Sequence, residues 1–215
     1  MRLLAFVSQH GYEIFQATLE HVWLVALTML LATAIGIPLG ILVVRRPWLS
    51  KAILGTANVA ETIPSLALFG FLLPVPWLGN RADRVAIAAL TLYALLPIIR
   101  NTATGIAGVD RAVREAARGM GMTERQILFH VELPLSLSTV IAGIRVATVL
   151  TIGIATIAAA VGTGGLGEFI FRGLAMVNNS LILAGAIPAA ALALAADFGL
   201  SLLERRLRPG RRGFP

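Results

Sequence analysis

The run VWLVALTMLLATAIGIPLGILVV, residues 22–44, carries no charged side chain and ends directly against Arg45 and Arg46. A helix needs about 20 predominantly apolar residues to cross the ~30 Å hydrocarbon core of a bilayer. In that medium every backbone amide and carbonyl has to be bonded within the protein. The run is therefore read as a transmembrane helix, and it commits the rest of the chain to a membrane. Composition agrees: of 215 residues 57% are hydrophobic and 13% charged, with mean hydropathy +0.84, where soluble domains are about a quarter charged.

Four further runs complete an all-α, polytopic reading. Residues 52–73 are apolar but interrupted by the polar cluster NVAETIPS. The run VAIAALTLYALLPII, from Val85, is short before Arg100 and is expected to use flanking residues to cross. Residues 135–161 surround Arg145, and residues 181–203 contain Asp197. Between the last two, GTGGLGEFIFRGLAMVNNS is too glycine-rich and polar to span and is either a surface turn or a helix lying in the interface. The expectation is one transmembrane domain over residues 1–215 with about five spans. No cysteine is present, which excludes disulfides, thiolate metal sites and thiol nucleophiles. The opening MRLLAF has too short an apolar run for a cleaved signal, so the first span is expected to serve as the insertion signal.

Lys and Arg concentrate in cytoplasmic loops. Placing the loop after the first span inside makes Arg45, Arg46 and Lys51 cytoplasmic, together with Arg100, Arg111, Arg114, Arg118 and Arg125. The tail residues Arg205, Arg206, Arg208, Arg211 and Arg212 fall on the same side, and only Arg2, Arg81, Arg84 and Arg172 remain outside. The N-terminus is thus expected outside and the C-terminus in the cytoplasm. The net charge of +7 reads as a topology signal and not as a nucleic-acid footprint, which would sit on a soluble fold.

The largest cytoplasmic loop, residues 109–134, breaks the oily pattern with EAARGMGMTERQILFHVELP. Asp110 is placed as an N-cap, and Val113, Ala116, Ala117 and Met120 fall at helical spacing to give one small-residue stripe. Gly119 and Gly121 are expected to end that helix. Thr123 with Gln126 resembles a capping box opening a second helix, with Ile127, Leu128 and Val131 on one side. Leu133-Pro134 is expected to break it where the chain re-enters the membrane. Such a helix-turn-helix is either a solvated loop or a docking surface for another protein.

The loop resembles the cytoplasmic motif of ABC-importer permeases: Glu-Ala-Ala, three residues, Gly, nine residues, Ile, any residue, Leu-Pro. Here it reads Glu115-Ala116-Ala117, Gly121, Val131 in place of Ile, Leu133 and Pro134, with the spacing kept throughout. The resemblance implies a coupling helix docked in a groove of a separate ATPase subunit, with Glu115, Ala116, Ala117, Gly121 and Pro134 as the coupling residues. The stretches ETIPSLALFGFLLPV, LYALLPIIRNT, AGIRVATVLTIGIATIAAAVGTGGLGEFIFRG and LILAGAIPAA are similar to a narrower branch, the permeases of osmoprotectant importers. That likeness implies import of glycine betaine, choline or carnitine with a separate extracytoplasmic binding protein. It also implies a type I importer architecture in the cell inner membrane, built from two permeases in lipid and two ATPases that bind the ATP. Uptake would then proceed by alternating access, with rigid-body movement biased from the cytoplasmic side.

What the chain lacks is equally informative. No G-x-x-x-x-G-K-[ST] occurs, so no loop cradles a nucleotide phosphate beside a lysine, and no cofactor is expected on this chain. GTGGLG, residues 162–167, has no following Lys-Ser/Thr and is read as an extracellular turn. His10, His21 and His130 are scattered, with neither metal-ligand spacing nor a serine to activate, which leaves an enzyme without a site. A secondary transporter has no reason to carry the Glu-Ala-Ala loop and would be expected to show an inverted repeat. Permeases for methionine or other amino acids are the nearest alternative substrate class.

Ionisable and polar groups inside spans are suspected of function by default. Glu61 lies near the middle of the second run with Asn58, Thr62 and Ser65 around it and Pro64 freeing a backbone carbonyl. Either this cluster lines the pathway and Glu61 faces a quaternary ammonium, or Glu61 satisfies a neighbouring helix. Tyr93 and the tryptophans either face a cation through their rings or anchor the interface. Arg145 and Asp197 lie in cytoplasmic halves of their spans and are expected to form a structural pair.

Overall fold

The computed structural model describes residues 2–79 and 81–207, with side chains described from Gln9 onward. The tail residues Arg208, Arg211 and Arg212 and the side chain of Arg2 lie outside the described residues. Nine α-helices are found among the described residues: α1 (Arg2–Arg45), α2 (Pro47–Thr62), α3 (Ser65–Leu72), α4 (Ala82–Ala107), α5 (Arg111–Gly119), α6 (Glu124–Ile127), α7 (Leu133–Ala158), α8 (Leu166–Ala175) and α9 (Asn179–Leu207). Among the described residues, four helical segments are long and apolar enough to cross a membrane: Gln9–Arg45, Ala82–Ala107, Glu124–Val161 and Asn179–Leu207. The pair α2 and α3 makes a fifth if counted as one broken span. The expected number of spans therefore holds, but their boundaries differ.

The first helix starts well before Val22 and bends at His10, whose φ of −111° and ψ of 15° leave the helical region. The span from Val85 is not short. Its helix runs on past Arg100 to Ala107, 26 residues or ~39 Å at 1.5 Å per residue. Arg100 does not stop it because its long side chain carries the guanidinium to the surface, where it meets Asn58.

Helix α4 is the hub, packed between α1 and α7. Its apolar face, including Val85, Ala86, Ala89, Leu90 and Ile98, is completely buried. Small residues let the neighbours come close, and in lipid, where no hydrophobic drive brings helices together, such close packing is what holds them. A Cβ on Gly40 of α1 would lie 2.5 Å from Thr102 Cβ, and one on Gly143 of α7 would lie 2.5 Å from Asn101 Cβ. Helix α9 packs on α7 and on the short α8.

The segment GTGGLGEFIFRGLAMVNNS resolves into a tight turn, then the ten-residue α8, seated against α9. Because α7 runs away from the α5–α6 loop, this turn lies at the opposite end of the bundle from that loop. The Gly165 amide donates to Glu20 Oε2 of α1 at 3.1 Å. A carboxylate of the chain itself occupies that turn.

Candidate functional site

Residues 109–134 form two short helices, and the local chemistry is what the sequence dictates. The Asp110 carboxylate accepts from the Ala112 amide at 2.9 Å and caps α5. Gly121, at φ +81°, closes it. The Met122 amide donates to the Ala117 carbonyl at 3.1 Å and the Gly121 amide to the Arg118 carbonyl at 2.9 Å. These paired bonds, with a left-handed glycine just past the cap, form a Schellman motif. Gly119 is the last residue of the helix itself, so of the two glycines only Gly121 makes the left-handed turn. The capping box is complete, with the Thr123 amide donating to Gln126 Oε1 at 2.8 Å and the Gln126 amide to Thr123 Oγ1 at 3.3 Å.

The expected break at Leu133-Pro134 is absent. Residues Leu128–Glu132 form a π-turn that joins α6 to α7, and Glu124–Val161 is one continuous membrane-length segment. Proline breaks an α-helix because its ring meets the carbonyl four residues back and its nitrogen has no proton. Pro134 is only the second residue of α7, directly after a turn whose bonds run five residues back, with the Leu133 amide donating to the Leu128 carbonyl.

Of the α5 stripe, only Ala117 is buried; Val113, Ala116 and Met120 are exposed. Glu115 is exposed and accepts from Arg111 Nε at 2.7 Å, one turn earlier on the same helix. The helix thus offers an unclaimed small-residue face. Behind it lies a group the sequence reading missed: Glu132, 1% exposed. Its Oε2 is 2.5 Å from Arg45 Nη2 at the end of α1, and its Oε1 is 3.8 Å from Arg114 Nη1 on α5. Arg45 also reaches Glu124 Oε2 at 3.1 Å, and Glu124 Oε1 takes Arg118 Nη2 at 3.0 Å. Removing one partner of a buried pair costs about 3–5 kcal/mol, against about 0–1 kcal/mol for an exposed one. Glu132 is therefore the dominant member. A lone acid at the variable position of the Val131-x-Leu133-Pro134 pattern, in a loop crowded with arginines, was the available signal.

The second candidate cluster lies where α2 and α3 meet at 103°. Ile63 is extended, at φ −69° and ψ 128°, as a residue before proline prefers to be. The Tyr93 hydroxyl of α4 donates to the Ile63 carbonyl and braces the bend. Thr62 Oγ1 donates to the Val59 carbonyl at 2.9 Å, and Asn58 Oδ1 accepts from Arg100 Nη2 at 2.6 Å. Glu61, Thr62 and Pro64 are exposed and Ser65 is half-buried, so the bend carries its polar atoms on the outside of this chain. Glu61 is exposed, so its carboxylate faces outward from this chain at the bend. Tyr93, 7% exposed, is packed in the core with its ring covered. Trp23, Trp48 and Trp77 are 70%, 74% and 78% exposed, as membrane-interface anchors would be.

The Arg145–Asp197 pair forms at 3.4 Å, and Arg145 also reaches Glu204 at 3.2 Å, a second acid two turns further along α9. Among the described residues there is no group of three or more His, Asp or Glu side chains able to hold a metal.

Residues 32–209 match the family described as binding-protein-dependent transport system inner membrane component. The chain is 45% identical over 209 residues to the glycine betaine/carnitine/choline transport system permease protein OpuCD of Bacillus subtilis (strain 168), covering 97% of this chain and 90% of that one. It is 44% identical over 211 residues to the osmoprotectant import permease protein OsmW of Salmonella typhimurium, covering 97% and 98%. Its fold is similar to a chain of the inward-facing MetNI methionine ABC transporter, with a TM-score of 0.83 at 22% identity, covering 93% of this chain and 98% of that one.

Proposed function

We propose a function from the premise that this chain belongs to the family of binding-protein-dependent transport system inner membrane components. As a permease subunit of type I ABC-importer architecture, it carries quaternary-ammonium osmoprotectants of the glycine betaine, choline and carnitine class across the membrane. The observation that carries the substrate reading is likeness along nearly the whole chain to relatives named for these solutes. The likeness to the methionine transporter speaks to architecture alone.

In this reading α5 docks in a groove of a cytoplasmic ATPase through the exposed Ala116 and the Gly121 turn, beside Glu115. The end carrying the α5–α6 loop faces the cytoplasm, which puts the N-terminus outside and the C-terminus inside. The opposite end receives an extracytoplasmic binding protein. A second permease, either another copy or a paralogue, packs in the lipid against the exposed face of the bend. The pathway then runs between the pair past Asn58, Glu61, Thr62, Pro64 and Ser65, with Tyr93 bracing the wall from behind. A broken helix suits this role because irregular backbone at membrane depth is tolerated where it is covered by protein or lines a cavity. Glu61 supplies a negative charge to a cationic solute that offers no hydrogen-bond donor on its ammonium.

The test is osmotic rescue. A host lacking its own osmolyte importers, given this chain with its ATPase and binding protein, should grow at high salt when glycine betaine, choline or carnitine is supplied. No rescue by any of the three, with the proteins present in the membrane, would remove the substrate assignment.

A further inference from the structure

The ion pairs behind α5 close into a ring. Following the contacts, Arg118 meets Glu124, Glu124 meets Arg45, Arg45 meets Glu132, and Glu132 meets Arg114. Arg114 and Arg118 are one turn apart on α5, so the ring starts and ends on the same helix face. Its other members come from the last residue of α1, from α6 and from the π-turn that leads into α7. Arg114 extends the connection further: its Nη2 donates to the Val109 carbonyl at 2.8 Å and to the Ala107 carbonyl at 3.4 Å, at the C-terminal end of α4.

The π-turn is what puts Glu132 in the ring. Residues five apart on an α-helix point about 140° from one another. Ile127 and Glu132 are five apart and both are 1% exposed. Across the wider turn both are covered by the protein, Ile127 with an apolar side chain and Glu132 with a carboxylate that meets two arginines. π-turns of this kind concentrate at functional positions.

We infer that Glu132, held between Arg45 and Arg114, is a positioning residue that ties α5 rigidly to α1 and α7. A displacement of α5 is thereby delivered to these spans together instead of being absorbed in the loop. The inference rests on the proposed docking of α5 to an ATPase. Glu132 itself faces away from that surface, so its loss should affect transmission and leave docking in place.

The experiment uses the complete importer in proteoliposomes, reading solute uptake and ATP hydrolysis in the same preparation together with ATPase co-purification. Glu132→Gln should retain the ATPase and its hydrolysis while uptake per ATP falls at least tenfold, and Glu132→Asp should recover part of it. Should Glu132→Gln not accumulate in the membrane, Arg114→Gln is read in the same way with the same expected loss. Because the chain has no cysteine, Arg45→Cys with Glu132→Cys can be bridged by a short bis-methanethiosulfonate and released with dithiothreitol. The bridged form should regain uptake per ATP and the released form should lose it. Unchanged uptake per ATP in Glu132→Gln, or equal values with and without the bridge, would overturn the tie while leaving the transport reading intact. Absence of ATP-driven uptake by the unaltered chain would overturn the transport reading, and the tie with it.

Discussion

Gly121 offers a substitution whose effects inside and outside the chain separate cleanly. Its φ of +81° lies in the left-handed region, and among the described residues no atom beyond its two chain neighbours comes within 4 Å of where a Cβ would stand. Inside the chain, then, a side chain there meets only backbone strain. That strain is about 1–2 kcal/mol for an ordinary residue and less for asparagine, which visits this region readily. Against the 5–15 kcal/mol typical of a folded domain the loss is too small to unfold the protein. Gly121→Asn should therefore sit close to the unaltered chain in melting temperature, and Gly121→Val slightly below it. If an ATPase groove covers the turn, the outcome for transport is different, because valine then meets a surface the chain alone does not contain. Gly121→Val should insert and melt nearly normally in detergent, yet lose ATPase co-purification or uptake by tenfold or more, with Gly121→Asn intermediate. Uptake equal to that of the unaltered chain in the valine variant would refute docking at this turn. A collapse of the melting transition would refute the strain argument.

Other expectations follow from the same contacts. Glu61→Gln should insert normally but reduce uptake at least tenfold, and unchanged transport would remove Glu61 from the pathway. Gly143→Leu should lower the melting temperature sharply, since a Cβ there would lie 2.5 Å from Asn101 Cβ and 2.9 Å from the Pro97 carbonyl; overpacking of this kind costs about 1–3 kcal/mol or more. Gly153→Ala, where nothing described outside its own stretch of α7 lies within 4 Å of the added carbon, is its control and should melt like the unaltered chain. Arg145→Gln should cost about 3 kcal/mol by denaturation, because Glu204 is largely buried, whereas Asp197→Asn at an exposed site should stay within about 1 kcal/mol.

How much of the fold is legible in the sequence depends on how local the determining physics is. The run before Arg45 needs only its own residues to declare a span. Asp110, Thr123 and Gln126 act on amides two or three positions away, so their caps are readable from spacing. Pro134 is a break by its residue type alone and not in the fold, because proline's effect depends on the turn before it and a π-turn has no short sequence signature. Arg100 marks the end of a span only if its charge sits at the backbone position; its side chain ends at Asn58, and α4 continues beneath it. The Arg145–Asp197 pair was expected from depth alone. Glu204 is legible on the same ground, since it lies seven residues beyond Asp197 and hence on the same face of α9. Glu132 required knowledge of which helix ends meet, and that is a property of the packed bundle. The bond from the Tyr93 hydroxyl to the Ile63 carbonyl is equally illegible in the sequence, because it joins positions 30 residues apart through the packing of α3 and α4.

The central claim is ATP-driven passage of a quaternary-ammonium solute through this permease. Its most direct test is accumulation of radiolabelled glycine betaine and choline in sealed vesicles holding the chain with its ATPase and binding protein, with and without ATP. The account predicts ATP-dependent accumulation of at least one of the two, abolished when the binding protein is left out. ATP hydrolysis stimulated by the permease with neither solute accumulating would contradict it.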